Sequence, residues 1–154
     1  RKPLQSSNSG TPFYQILKKF NDQVNYLPIG IQKFSNPRSL YKIASELKID
    51  HIPIEDCTLN NIKNVFTTID DFIQKSDSIY LSIDLDGFAA HHAPGVSAPG
   101  PFGFSVKFFR VLFEHILKTN KVVAIDIVEL NPIYDTDSIT AKLASQIIAI
   151  AVSK

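Results

Sequence analysis

The stretch that decides the fold runs from Ser78 to Gly103: Ser78-Ile-Tyr-Leu-Ser-Ile-Asp84-Leu-Asp86-Gly-Phe-Ala-Ala-His91-His-Ala-Pro-Gly95-Val-Ser-Ala-Pro-Gly100-Pro-Phe-Gly103. Its opening run, Ile79 to Leu85, is too short for a helix and almost entirely apolar or β-compatible, the pattern of a strand covered on both faces of a parallel sheet. The run then acquires two carboxylates, Asp84 and Asp86, and stops at Gly87. Residues two apart on a strand point the same way, with Cα atoms separated by roughly 6.5 Å. This predicts two acids on one face at the strand's carboxyl end, where open α/β sheets bind their ligands. Two such anions repel, and without a partner one takes up a proton. A divalent cation between them removes the conflict; the plainer reading is two acids that cap loops or pair with Lys and Arg.

The segment after the strand favours the cation. From His91 to Gly103 the chain holds three prolines and three glycines and no Lys, Arg, Asp or Glu. Prolines fix φ and glycines allow turns that other residues resist, so this is a long, stiff loop. Loops of that length over a strand end tend to carry function.

Elsewhere, strand and helix patterns alternate. Thr11-Pro12 supplies a cap and a first-turn proline, and Phe13, Ile16, Leu17 and Phe20 follow at helical spacing. Strands are predicted over Asn25–Gln32, although Pro28 interrupts the first, over Ile49–Ile54, and over Val122–Leu130. Helices are predicted over Ser39–Leu47, from Thr58 through Ile73, over Phe104–Lys118 and over Thr136–Val152. Asp135 and Asp137 stand at the amino end of the last helix, where its dipole favours them, and Asp70 and Asp71 read as a solvated face. The alternation predicts right-handed βαβ crossovers and a parallel sheet with helices on both faces.

Composition bounds the function classes. The chain has 154 residues, 44% hydrophobic and 20% charged, with a formal net charge of +1. A chain of that length can bury ~70% of its unfolded surface, and the charge leaves no basic footprint for nucleic acid. No apolar run approaches a membrane span, and the polar start is no signal peptide. The single Cys57 reads as a buried thiol in a reducing compartment. Met is absent even at residue 1, which is Arg, and this points to a piece of something longer.

Two separate motifs carry a family resemblance. Ser82-Ile83-Asp84-Leu85-Asp86, then Ala90, Pro94-Gly95 and Gly103, resemble the signature of the ureohydrolases (arginase, agmatinase, formimidoylglutamase) at its full spacing. Downstream, Ile125-Asp126-Ile127-Val128-Glu129-Leu130-Asn131-Pro132 resembles the strand whose glutamate binds the substrate's amidine or guanidine group. The wording Ala-Pro-Gly-Val-Ser-Ala-Pro is most similar to formimidoylglutamase. Arginases and agmatinases usually carry Asp-Pro where this chain has Ala89-Ala90, and Ser9 stands where many agmatinases have a histidine with a proton-transfer role.

The resemblance implies a three-layer α/β/α sandwich with a mostly parallel sheet, of which residues 1–154 form the carboxyl-terminal part of a single domain. It implies a binuclear manganese centre with Asp84 and Asp86 as ligands and Glu129 holding the cationic formimino group; Glu129's alternative role is a buried structural acid. Arg1, Ser7 and Asn8 in the opening loop are the candidates for the substrate's carboxylates. His91 and His92 are ordinary loop residues in the family pattern and are left out, and His51 and His115 read as surface or core histidines.

The implied reaction is manganese-dependent hydrolysis of a linear amidine, N-formimino-L-glutamate to L-glutamate and formamide, a step of histidine degradation, in a cytoplasmic homo-oligomer. Two alternatives stand: an agmatinase- or arginase-type amidinohydrolase, and a non-catalytic truncated homologue acting as an assembly or binding module. The family's Gly-Gly-x-His and Asp-Ala-His-x-Asp metal motifs do not occur in this sequence. An active enzyme of this kind therefore requires a missing amino-terminal half.

Overall fold

The computed structural model describes residues 11–20 and 23–153. The elements alternate as the patterning predicts: α1 (Pro12–Phe20), β1 (Ile29–Ile31), α2 (Arg38–Glu46), β2 (Ile52–Pro53), α3 (Ile62–Gln74), β3 (Ile79–Asp84), α4 (Val106–Leu117), β4 (Val122–Val128) and α5 (Ile139–Val152). β1 pairs in parallel with β2, and β3 in parallel with β4. Among the described residues these are two separate two-stranded sheets. The architecture is α/β with parallel strands and helical crossovers.

Local chemistry sets the boundaries, and several differ from the sequence expectation. β1 covers only part of Asn25–Gln32, because Pro28 has no N–H to give a ladder; its carbonyl still accepts the N–H of Ile52 at 2.9 Å. Thr58 caps a single 3-10 turn, Leu59–Asn61, rather than α3 itself, its hydroxyl accepting the N–H of Asn61. Ser105 caps α4 by accepting the N–H of Phe108 at 3.2 Å. α5 starts at Ile139 rather than Thr136, because Asp137 and Ser138 both adopt left-handed backbone (φ 52 and 57). Asp135 still serves its amino end, accepting the N–H groups of Thr140 at 2.8 Å and Ala141 at 2.9 Å.

Two hydrophobic clusters hold these elements. In the first, Val65, Ile69 and Ile73 of α3 meet Phe108, Leu112 and Ile116 of α4 over Ile52 and Ile79. In the second, Ile83, Leu85, Phe88, Ala93 and Val96 pack with Phe113 of α4 and with Ala144 and Ile147 of α5. Each large apolar side chain among them contributes ~1.5–3 kcal/mol by burial, so the second cluster anchors the segment that carries the acids. Across the β3–β4 pair the Tyr80 hydroxyl donates to Asp126. The other Asp126 oxygen is buried without a hydrogen-bond partner among the described residues.

The proline- and glycine-rich loop is rigid for identifiable reasons. Phe104 N–H donates to the Gly87 carbonyl at 2.8 Å, Ala89 N–H to Phe104, and Ala90 N–H to Gly100 at 2.8 Å. The two ends of the loop thus run backbone against backbone. Gly103 lies at that crossing, where a Cβ would collide with the main chain of Gly87, Phe88 and Ala89.

Cys57 is buried as predicted, its Sγ donating to the Pro53 carbonyl at 3.4 Å. Burial pushes its thiol up to about 12, helped by the charges of Asp56 and Glu55 against a lowering hydrogen bond from Gly30. Asp70 stays partly exposed, as the solvated-face reading expects, but has a partner the sequence did not show. It bonds His115 Nε2 at 2.7 Å, because α3 and α4 pack side by side and Phe66 stacks on the same imidazole. No helix among the described residues is long and apolar enough to cross a membrane.

Candidate active site

Asp84 is the last residue of β3, and Asp86 is not on the strand. Residues Leu85–Gly87 form one 3-10 turn, closed by the N–H of Phe88 on the Leu85 carbonyl at 3.3 Å. The expectation of two acids on one strand face is corrected in this respect. The cause is Leu85, which is 0% exposed and seated in the second cluster, so the chain curls around it. The curl achieves by a turn what a strand would achieve by alternation: Asp86 meets Asp84 through both its carboxyl and its backbone N–H.

Asp84 carries the electrostatic signature of the site. Its carboxyl is pushed up to about 7, first by desolvation, then by the hydrogen bond and charge of Asp86, then by the charge of Glu129; the Asp86 N–H offsets part of this. Asp84 keeps a solvent-exposed surface, yet enough protein packs around the carboxyl to make desolvation the leading cause. Asp86 and Glu129, from two adjacent strand ends, therefore both act on Asp84. The register explains the third: Asp84 pairs with Val128, and Glu129 is the next residue along. There the chain leaves β4 in a left-handed conformation, φ 69. Non-glycine residues seldom adopt that conformation, and those that do cluster at functional sites.

Such a set of carboxylates suits a hard, oxygen-preferring divalent cation. The charge that Asp86 and Glu129 place on Asp84 is the observation that fits them to one. No group of three or more His, Cys, Asp or Glu among the described residues is placed to hold a metal ion. His91 and His92 pack ring to ring at 3.9 Å within the loop. Arg1, Ser7, Asn8 and Ser9 lie outside the described residues.

One neighbour of the acids emerges only from the fold. Tyr26 stacks on Phe13 of α1 at 4.9 Å, and its hydroxyl is raised by burial and then by the charge of Asp84. A lone Tyr ahead of a short strand gives no local signal of that position. A groove of about 660 Å³ beside Ile31, Arg38, Tyr41 and His51 is lined by none of the three acids. Charge, not volume, marks the site.

Comparison with known proteins gives the family. The model of the arginase family matches residues 2–153. The formimidoylglutamase of Psychrobacter cryohalolentis is 40% identical over 146 residues, covering 93% of this chain and 42% of that protein. The formimidoylglutamase of Legionella pneumophila strain Paris is 41% identical over 151 residues, covering 96% of this chain and 47% of that protein. The chain spans about half the length of these curated relatives. Among solved structures, the formimidoylglutamase of Bacillus subtilis superposes with a TM-score of 0.89 at 25% identity, covering 99% of this chain and 49% of that one. The arginase of Bacillus subtilis superposes at 0.76 with 24% identity over 83% of this chain and 45% of its own, a likeness of fold. With nearly its whole length matched, and with acids placed at two adjacent strand ends of an arginase-like fold, the chain belongs to the arginase family.

Proposed function

We propose that this chain is the carboxyl-terminal half of a manganese-dependent hydrolase of a linear amidine, with N-formimino-L-glutamate as the substrate and L-glutamate and formamide as products. The observation that carries the reading is that Asp84, at the end of β3, meets Asp86 and also feels the charge of Glu129, the residue just past the paired strand β4. The substrate choice is supported by curated relatives named formimidoylglutamase at 40–41% identity, and by Ala89-Ala90 and Ser9 where arginases or agmatinases carry other residues. In this reading the protein is a cytoplasmic homo-oligomer.

Asp84 and Asp86 would hold manganese, the remaining ligands coming from the amino-terminal half of the domain. When bound, a pair of such ions supplies an activated water nucleophile at neutral pH. Glu129 accepts charge-assisted hydrogen bonds from the protonated formimino group and orients its carbon toward the acids. The loop from His91 to Gly103 meets the exit of β4 at the Val96–Leu130 bridge. Breaking the C–N bond releases the glutamate amine, which takes up a proton as it departs.

The test joins this chain to the amino-terminal half of the Legionella relative and compares two substrates. Formamide release from N-formimino-L-glutamate should far exceed urea release from arginine. Urea release at comparable kcat/KM would overturn the substrate choice.

A further inference from the structure

Glu129 holds a left-handed backbone, φ 69, and a non-glycine residue stays there only where its surroundings over-determine it. On the amino side the constraint is β4, whose Val128 pairs with Asp84. On the carboxyl side it is the proline-rich loop. Leu130 forms an antiparallel bridge with Val96, Asn131 N–H donates to the Gly95 carbonyl at 2.8 Å, and Asn131 Nδ2 donates to Ser97 Oγ at 3.1 Å. Gly95 to Ser97 thus clamp the chain just past Glu129.

That clamp has an anchor of its own. Gly95 N–H donates to Thr140 Oγ1 at 2.7 Å, and Thr140 is 0% exposed at the start of α5. The Thr140 hydroxyl also bonds the Asp135 carboxylate, which takes the N–H groups of Thr140 and Ala141 as well. Gly95 approaches Asp135 so closely that a Cβ would meet the Asp135 carboxyl carbon at 2.6 Å. One buried hydroxyl therefore joins the helix start, the capping acid and the loop.

We infer that Thr140 is a positioning residue for Glu129: through Gly95 it locks the loop against the exit of β4 and so fixes the backbone from which the Glu129 side chain projects. This rests on Glu129 as the substrate-binding acid, and the experiment separates the two ideas. Thr140→Val removes both hydrogen bonds while nearly keeping the volume; Thr140→Ser restores the hydroxyl. In the domain completed by the amino-terminal half of the Legionella relative, Thr140→Val should speed exchange of the Gly95 amide by ~10-fold or more, as expected for a lost buried hydrogen bond. It should also weaken the strong intraresidue amide–Hα NOE that a positive φ gives Glu129.

In the domain completed by the Legionella amino-terminal half, Thr140→Val should raise KM for N-formimino-L-glutamate by ~10-fold. Manganese content should be unchanged and kcat should stay within about twofold, the pattern of lost uniform binding. Thr140→Ser should return all readouts toward the parent. If the valine variant does not fold, Ser97→Ala, which cuts the exposed end of the same clamp, should raise KM by about threefold. An unchanged Glu129 NOE beside faster Gly95 exchange, or a fall in kcat at constant KM, would overturn the inference. If the completed parent hydrolyses no formiminoglutamate, the substrate assignment fails, and the Glu129 NOE alone still decides whether Thr140 positions it.

Discussion

Leu85→Ala tests whether the turn between the two acids is held by packing. Leu85 is 0% exposed and surrounded by Ile83, Phe88, Ala93, Val96, Phe113, Ala144 and Ile147. Truncating a buried leucine removes transfer free energy and leaves a cavity, together ~2–5 kcal/mol. Taking about 3 kcal/mol, and ~2–4 °C per kcal/mol for a chain of this size, Tm should fall by roughly 6–12 °C. Against a total stability of ~5–15 kcal/mol, that is a large fraction. Val123→Ala is the control: Val123 is 71% exposed, so its change should stay within ~0.5 kcal/mol. The assay is urea unfolding followed by far-ultraviolet circular dichroism, with the slope m unchanged between variants. A loss below ~1 kcal/mol for Leu85→Ala, or one matched by Val123→Ala, would refute the packing argument. The turn would then be held by the acids themselves.

The remaining predictions concern titration and reactivity. The Asp84 carboxyl rises from 3.8 to about 7 on folding, so the metal-free folded state binds more protons than the unfolded one between those values, and stability should fall as pH rises through that window. Asp84→Asn should therefore stabilise the metal-free chain at pH 8 and give no gain at pH 3; a gain equal at both would exclude the charge as cause. Cys57, with its thiol raised to about 12, should resist Ellman's reagent in the native chain at pH 8 and react at once in denaturant. Prompt reaction of the native thiol would place Cys57 outside the core.

Much of the fold and site is legible in the sequence because it is written in short-range periodicity. The spacing of Val65, Ile69 and Ile73 marks α3, and the run from Ile79 ending in two carboxylates marks both β3 and the ligand end of the sheet. Features that depend on distant partners are not legible. Leu85 leaves the strand and joins the buried cluster that holds Phe113 and Ile147, and no local pattern says so. The same holds for Thr140, whose partner Gly95 is 45 residues away, and for Asp70 with His115. Tyr26 reaches Asp84 only through the packing of α1. Glu129 stands out by its motif, but its left-handed backbone does not, since nothing in Val-Glu-Leu favours φ above zero.

Whether Asp84 and Asp86 hold manganese in an amidine hydrolase is decided by manganese content and formamide release measured together. The protein is the domain completed by the Legionella amino-terminal half, as parent and as Asp84→Ala and Asp86→Ala. The parent should bind about two ions per site, as in other two-metal hydrolases. Each alanine variant should lose bound manganese and turnover, with the circular dichroism spectrum retained. Normal turnover with two bound ions in either variant would contradict the metal assignment.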